Sequence, residues 1–220
     1  MNEMRKIVYA GLAAGLMAFC MQSAFARGGD QNGVRGGGGA NQAADPAAES
    51  ESSTSVDENE ATHLTFMREE EKLARDVYTS LGRMYPAATI FGNIDDSEQR
   101  HTDKVKQTLE GYGLEDPSTN DNLGVYTGEA YGGYFTEKYE YLVNRASTSE
   151  LDALYVGAFI EELDMLDIVQ CPKVIVETDN AIDDVSQCGE IYTDNPDIQQ
   201  LYASLLEGSR NHLRAYVGNI

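Results

Sequence analysis

Apolar residues recur three and four positions apart over four long stretches of this chain, the spacing of one helical face. The first stretch covers 58–81, with Leu64, Met67, Ala74, Tyr78 and Leu81 on a common stripe. The second covers 95–112: Glu98, His101, Val105 and Leu109 share a face, Asn93 or Asp95 can cap the start, and Gly111 and Gly113 end it. A third stripe runs through Leu151, Leu154, Ala158, Glu161, Met165 and Ile168. Ser147-Thr148-Ser149-Glu150 reads as the capping box that opens this helix, and Pro172 stops it. Asn195-Pro196 sets a cap and a first-turn proline for a last helix carrying Ile198, Leu201, Leu205, Ser209, His212 and Tyr216. Between the second and third stretches, 115–128 is a polar loop and the aromatic-rich 131–146 predicts a shorter extra helix. Residues 173–176 form a short β-branched run expected to pair with residues near Ile191. No strand pattern long enough for a sheet is present, so the expected class is all-α.

The stripes contain charges. Glu71 sits between Met67 and Ala74, and Glu161 sits mid-stripe with Asp164 three residues on. On the broad first stripe Glu70 is the fallback for Glu71; otherwise Glu69 and Glu70 read as solvated. Glu98 and His101, at i and i+3, share one face. A charge within an apolar stripe is costly unless it is paired or bound to a metal. Bundles that hold two metal ions take a single Glu from two helices and a Glu-x-x-His from each of the other two. Glu71, Glu161 and Glu98-x-x-His101 supply three of these elements, and the fourth is Ser209-x-x-His212, with serine in the carboxylate position. The competing reading is buried ion pairs with Arg75, Arg100 or Arg210. His63 reads as exposed, and Tyr78 reads as a core tyrosine near Glu71. No P-loop, GxGxxG, CxxC or nucleophile elbow occurs, and Ser209 with His212 lacks a third member for a hydrolase triad.

The N-terminus changes the picture of where the chain works. Arg5 and Lys6 precede an apolar run over 7–19, and Ala24-Phe25-Ala26 follows with small residues where a signal peptidase reads. Residues 1–26 are therefore expected to be a signal peptide, cleaved after Ala26, giving an exported (periplasmic or extracellular) protein without a membrane span in its mature form. The alternative is a lipoprotein anchored at Cys20, against which the bulky Phe19 argues. Residues 27–56, with Gly36-Gly37-Gly38-Gly39 and no aromatic residue, read as a polar linker, and 57–220 as the folded domain. Loss of Cys20 leaves Cys171 and Cys188, an even count that suggests a disulfide in an exported chain. A formal net charge of −21 repels nucleic acid and anionic membranes and favours small cations as partners.

These residues resemble the ferritin-like superfamily and its rubrerythrin branch. Glu71-Lys72-Leu73-Ala74-Arg75-Asp76-Val77-Tyr78 is similar to the Glu-x-x-Ala-Arg-x-x-Tyr run of a rubrerythrin first helix. Glu98-x-x-His101 matches the second-helix motif, Glu161-x-x-Asp164 the paired acids of the third, and His212 the histidine of the fourth, from which Ser209 departs. The segments Ser97–His101, 157–164 and 208–213 resemble the DUF2202 family more closely still. The resemblance implies a ferritin-like antiparallel four-helix bundle with an additional helix in the long connection. It also implies a di-metal site of Glu71, Glu98, His101, Glu161 and His212, with Asp164 the candidate for the missing ligand. Iron is the expected metal, with manganese, zinc and no metal as the alternatives. The implied activity is an oxidoreductase acting on O2, peroxide or Fe(II); the alternative is a helical binding or structural module that catalyses nothing. A homo-oligomer is compatible with either.

Overall fold

The computed structural model describes residues 55–178 and 188–220. The expected signal peptide, Cys20 and all but the last two residues of the expected linker lie outside the described residues. Helix α1 (Glu58–Met84) begins at a reciprocal cap in which Asp57 accepts from the Glu60 amide and Glu60 accepts from the Asp57 amide. Helix α2 (Ile90–Gly111) starts five residues before the expected Asp95. Phe91 and Ile94 are buried, and covering them draws the extra turn into the helix without a side-chain cap at Thr89. Helix α3 (Gly132–Ala146) is the expected extra helix. Helix α4 (Glu150–Asp167) is capped by Ser149, which accepts from the Asp152 amide, two residues beyond the expected cap; Ser147 instead closes α3. Helix α5 (Pro172–Thr178) replaces the expected extended run. Pro172 has a preset helical φ and needs no N–H partner in a first turn, and Ile175 is buried from it. After a 3-10 turn (Gly189–Ile191), helix α6 (Pro196–Val217) begins at Asn195-Pro196 as expected. No strand occurs among the described residues.

The four long helices pack as a closed ring, α1 on α2, α2 on α6, α6 on α4, and α4 on α1. Each runs opposite to its neighbours. Arg68 and Thr79 of α1 reach Thr102 and Asp95 of α2. Lys104 of α2 reaches Ser204 of α6, while Phe91 lies on Tyr216. Asp164 of α4 meets Ser209 of α6, and Gly157 lies under Tyr216. Leu64, Met67, Val77, Leu81, Val105, Leu109, Ile198 and Leu205 are fully buried inside the ring, each contributing about 1.5–3 kcal/mol.

Helix α1 is buried on both faces. Its outer face is covered by α3 and by residues 114–131, which are held by charge. Arg68 pairs with Asp116 at 3.1 Å, Arg75 with Asp121 at 3.0 Å, and Asp76 accepts from the Gly124 amide. Lys72, fully buried, donates to Asp76 and to the Asn122 carbonyl. Glu69, expected in solvent, is buried here and accepts from the Gly128 amide at 2.8 Å. Cys171 and Cys188 are joined by a disulfide that ties the end of α4 to the 3-10 turn. No described helix is long and apolar enough to cross a membrane.

Candidate metal centre

Glu98 stands in the middle of the ring, offering one oxygen to each side. Its Oε2 lies 2.9 Å from His101 Nδ1, and its Oε1 lies 2.6 Å from His212 Nδ1. Beyond these, Glu71 Oε2 is 3.3 Å from His101 Nδ1 and Glu161 Oε2 is 3.5 Å from His212 Nδ1. Two ligand sets result, Glu71/Glu98/His101 and Glu98/Glu161/His212, each with its ligand atoms all within 4.8 Å of one another. Each set draws on three of the four helices or fewer, and only antiparallel packing brings them to one level. The two imidazoles lie 5.5 Å apart between ring centres.

The surrounding helices are shaped to this arrangement. A Cβ on Gly208 would come within 2.3 Å of His101 Cε1, so α6 must carry glycine there for the imidazole to lie against it. A Cβ on Gly157 would come equally close to Tyr216, 2.4 Å from its ring. Tyr78 donates to Glu161 Oε1 at 2.7 Å and fixes that carboxylate.

The donor set fits a cation. Both oxygens of Glu71 are buried without a hydrogen-bond partner. His212 Nδ1 faces two carboxylates without hydrogen-bond geometry to either. Carboxylate with imidazole suits first-row divalent metals. Burial pushes the Glu71 and Glu161 carboxyls up to about 7, against the pull of His101 and His212 respectively. Burial would raise Glu98 as well, but the two imidazoles outweigh it and hold Glu98 at about 2. Burial would lower both histidines; instead Glu71 and Glu98 raise His101 to about 11, and Glu161 and Glu98 raise His212 to about 9. Without metal, positive imidazoles partly balance the carboxylates.

Five of the six residues expected at the site converge on it. Asp164 belongs to neither set. One of its oxygens accepts from Ser209 Oγ, so the serine that departs from the motif is paired with the acid expected to replace its function. The alternative of arginine pairing is not what forms: Arg75 faces Asp76 and Asp121, while Arg100 and Arg210 are exposed. His63, expected at the surface, is fully buried between Tyr202 Oη at 2.7 Å and the Asp167 carbonyl at 3.0 Å. Glu70 is buried too, and burial together with Asp167 and Asp164 holds its carboxyl well above the usual range. Asp167 is buried beside Glu70, at the same spacing of three from Asp164 as Asp164 from Glu161.

The fold and site together define an all-helical domain with two overlapping residue groups that could hold metal ions. The chain belongs to the DUF2202 family, an uncharacterized protein domain whose profile matches residues 60–220. It is 44% identical over 162 residues to the uncharacterized protein MJ0754 of Methanocaldococcus jannaschii, covering 74% of this chain and 75% of the relative. The crystal structure of that hypothetical protein superposes with a TM-score of 0.60 over 74% of this chain and 79% of its own.

Proposed function

We propose that this chain is an exported ferritin-like protein whose four long helices hold two divalent metal ions, iron by preference, for redox chemistry on O2, peroxide or Fe(II). The observation that carries the reading is Glu98, with one oxygen directed to each of two Glu/His pairs. The closed antiparallel ring and the unpartnered oxygens of Glu71 support it. The export part rests on the 1–26 signal pattern and is in keeping with the Cys171–Cys188 disulfide.

In this reading Glu71, Glu98 and His101 would hold one ion, and Glu98, Glu161 and His212 the other. Bound iron would supply the electrons and the open positions that a small oxidant needs. The chain does the rest. Its buried ring excludes bulk water, and Tyr78 holds Glu161 in one orientation through its hydroxyl. His101 and His212 carry protons at neutral pH without metal, so loading releases them to solvent. Ser209, which donates to Asp164 where a further glutamate would complete the ligand set, favours one rival: a helical binding or structural module that holds one metal ion or none and catalyses nothing.

Metal analysis separates the two. Protein produced with iron available should carry about two equivalents, lost in both Glu98→Ala and His101→Ala, and should consume O2 or peroxide. Wild type that is folded, metal-free and no more stable with metal than either variant would sink the di-metal reading.

A further inference from the structure

We propose that Tyr78 and Tyr216 act as a redox pair that supplies one hydrogen atom, an electron with its proton, to peroxide at the Glu98/Glu161/His212 set. This role rests on the function proposed above and gives it an electron source within the chain.

The pair is built on one spot of α4. Gly157 and Glu161, four residues apart, share a face of that helix. The Tyr78 hydroxyl reaches both, donating to Glu161 Oε1 at 2.7 Å and lying 3.2 Å from the Gly157 carbonyl oxygen. Tyr216 comes from α6 to the same spot. A Cβ on Gly157 would stand 2.5 Å from its Cζ, the ring carbon that bears the hydroxyl, so glycine there is what admits the second phenol. The two ring centres are 5.4 Å apart, and both side chains are fully buried.

Packing alone does not account for these hydroxyls. A buried tyrosine usually finds a hydrogen-bond partner. Tyr216 Oη is buried with none in hydrogen-bond geometry, and the hydroxyl that acts on it is that of Tyr78. Phenylalanine would fill the same space without burying an ill-satisfied hydroxyl. The arrangement is also one-sided: Glu161 receives a phenol, whereas neither oxygen of Glu71 has a hydrogen-bond partner.

Hydrogen peroxide takes up two electrons and two protons to become two waters. A bound Fe(II) supplies one electron in becoming Fe(III). Tyr78 supplies the other as its O–H bond breaks, and the proton passes along the existing hydrogen bond to Glu161 Oε1 and on to the peroxide. The second proton comes from solvent. The Tyr78 oxygen then takes the hydroxyl hydrogen of Tyr216, remaking one O–H bond and breaking the other. The unpaired electron comes to rest on Tyr216, which bonds to none of the ligands. In sum, H2O2, Fe(II), one phenol and one proton give two waters, Fe(III) and one neutral phenoxyl radical, and no charge is left on either buried ring.

The test is electron paramagnetic resonance of the mature protein, loaded without oxygen with one Fe(II) per chain, mixed with peroxide and frozen. Wild type should show a tyrosine radical, identified by its narrowing when the ring protons of the tyrosines are replaced by deuterium. Tyr216→Phe should shorten the lifetime of that radical at least tenfold, and Tyr78→Phe should abolish it, with iron content unchanged in both. Tyr139→Phe, which removes a hydroxyl bonded to Ser80, should leave it as in wild type. Iron analysis and circular dichroism of each variant check loading and folding. Iron bound and peroxide consumed with no tyrosine radical would overturn the pair while leaving the metal reading intact, as would a radical of equal lifetime in Tyr216→Phe. Wild type that binds no iron would overturn both.

Discussion

Acid should weaken this fold through His63, a residue with no part in the metal centre. Its Nε2 faces a carbonyl and must donate, so the neutral ring accepts from Tyr202 at Nδ1. The ring is fully buried, which lowers its pKa from 6.5 to about 4, against the raising effect of the Asp167 and Gln170 backbone. The unfolded chain therefore takes up a proton near pH 6.5 that the folded chain refuses until about pH 4. Stability contributed by the neutral ring is intact above pH 6.5 and drains as pH falls through that window, at up to about 1.4 kcal/mol per pH unit. Between pH 7.5 and 5 the loss is about 2 kcal/mol. His63→Gln is the comparison, because an amide can donate to the Asp167 carbonyl and accept from Tyr202 without titrating. Urea unfolding of both proteins, in chelator, should show the wild type losing about 2 kcal/mol more than the variant over that range. Buried acids such as Glu70 and Asp164, raised in the folded state, push the opposite way, but they do so in both proteins and cancel. Parallel pH profiles for wild type and His63→Gln would refute the reasoning.

Three further outcomes are expected. Gly208→Ala should leave helicity unchanged, since alanine favours α6, yet weaken metal binding at least tenfold by displacing His101; wild-type affinity in a titration would contradict that. Lys72→Met should destabilise by about 3 kcal/mol, because Asp76 stays buried with only part of its pairing, and calorimetry showing an unchanged Tm would count against a structural role for the pair. Reduction of Cys171–Cys188 should lower stability by about 3 kcal/mol, read from denaturation with and without reductant, and intact-mass measurement should show the gain of two hydrogen atoms; free thiols before reduction would contradict the bond.

The helices were legible in the chain because their signal is local. Periodicity placed α1, α4 and α6 to within a turn, and Asn195-Pro196 marked the start of α6 to the residue. The i, i+3 spacing of Glu98 and His101 was enough to put both on one face, and mid-stripe charge singled out Glu71 and Glu161. That Glu98 would serve two ligand sets was not visible, since it depends on the level at which α6 delivers His212 opposite α2. Nor was the burial of Glu69, Glu70 and Lys72. A single amphipathic helix offers one face to a core, and α1 is buried on two because residues 114–131, remote in sequence, fold over its outer side. His63 likewise reads as a surface histidine until Tyr202 and the end of α4 close around it. Sequence determines which side chains share a face; which faces meet, and which charges are thereby cut off from water, is decided only when distant segments pack.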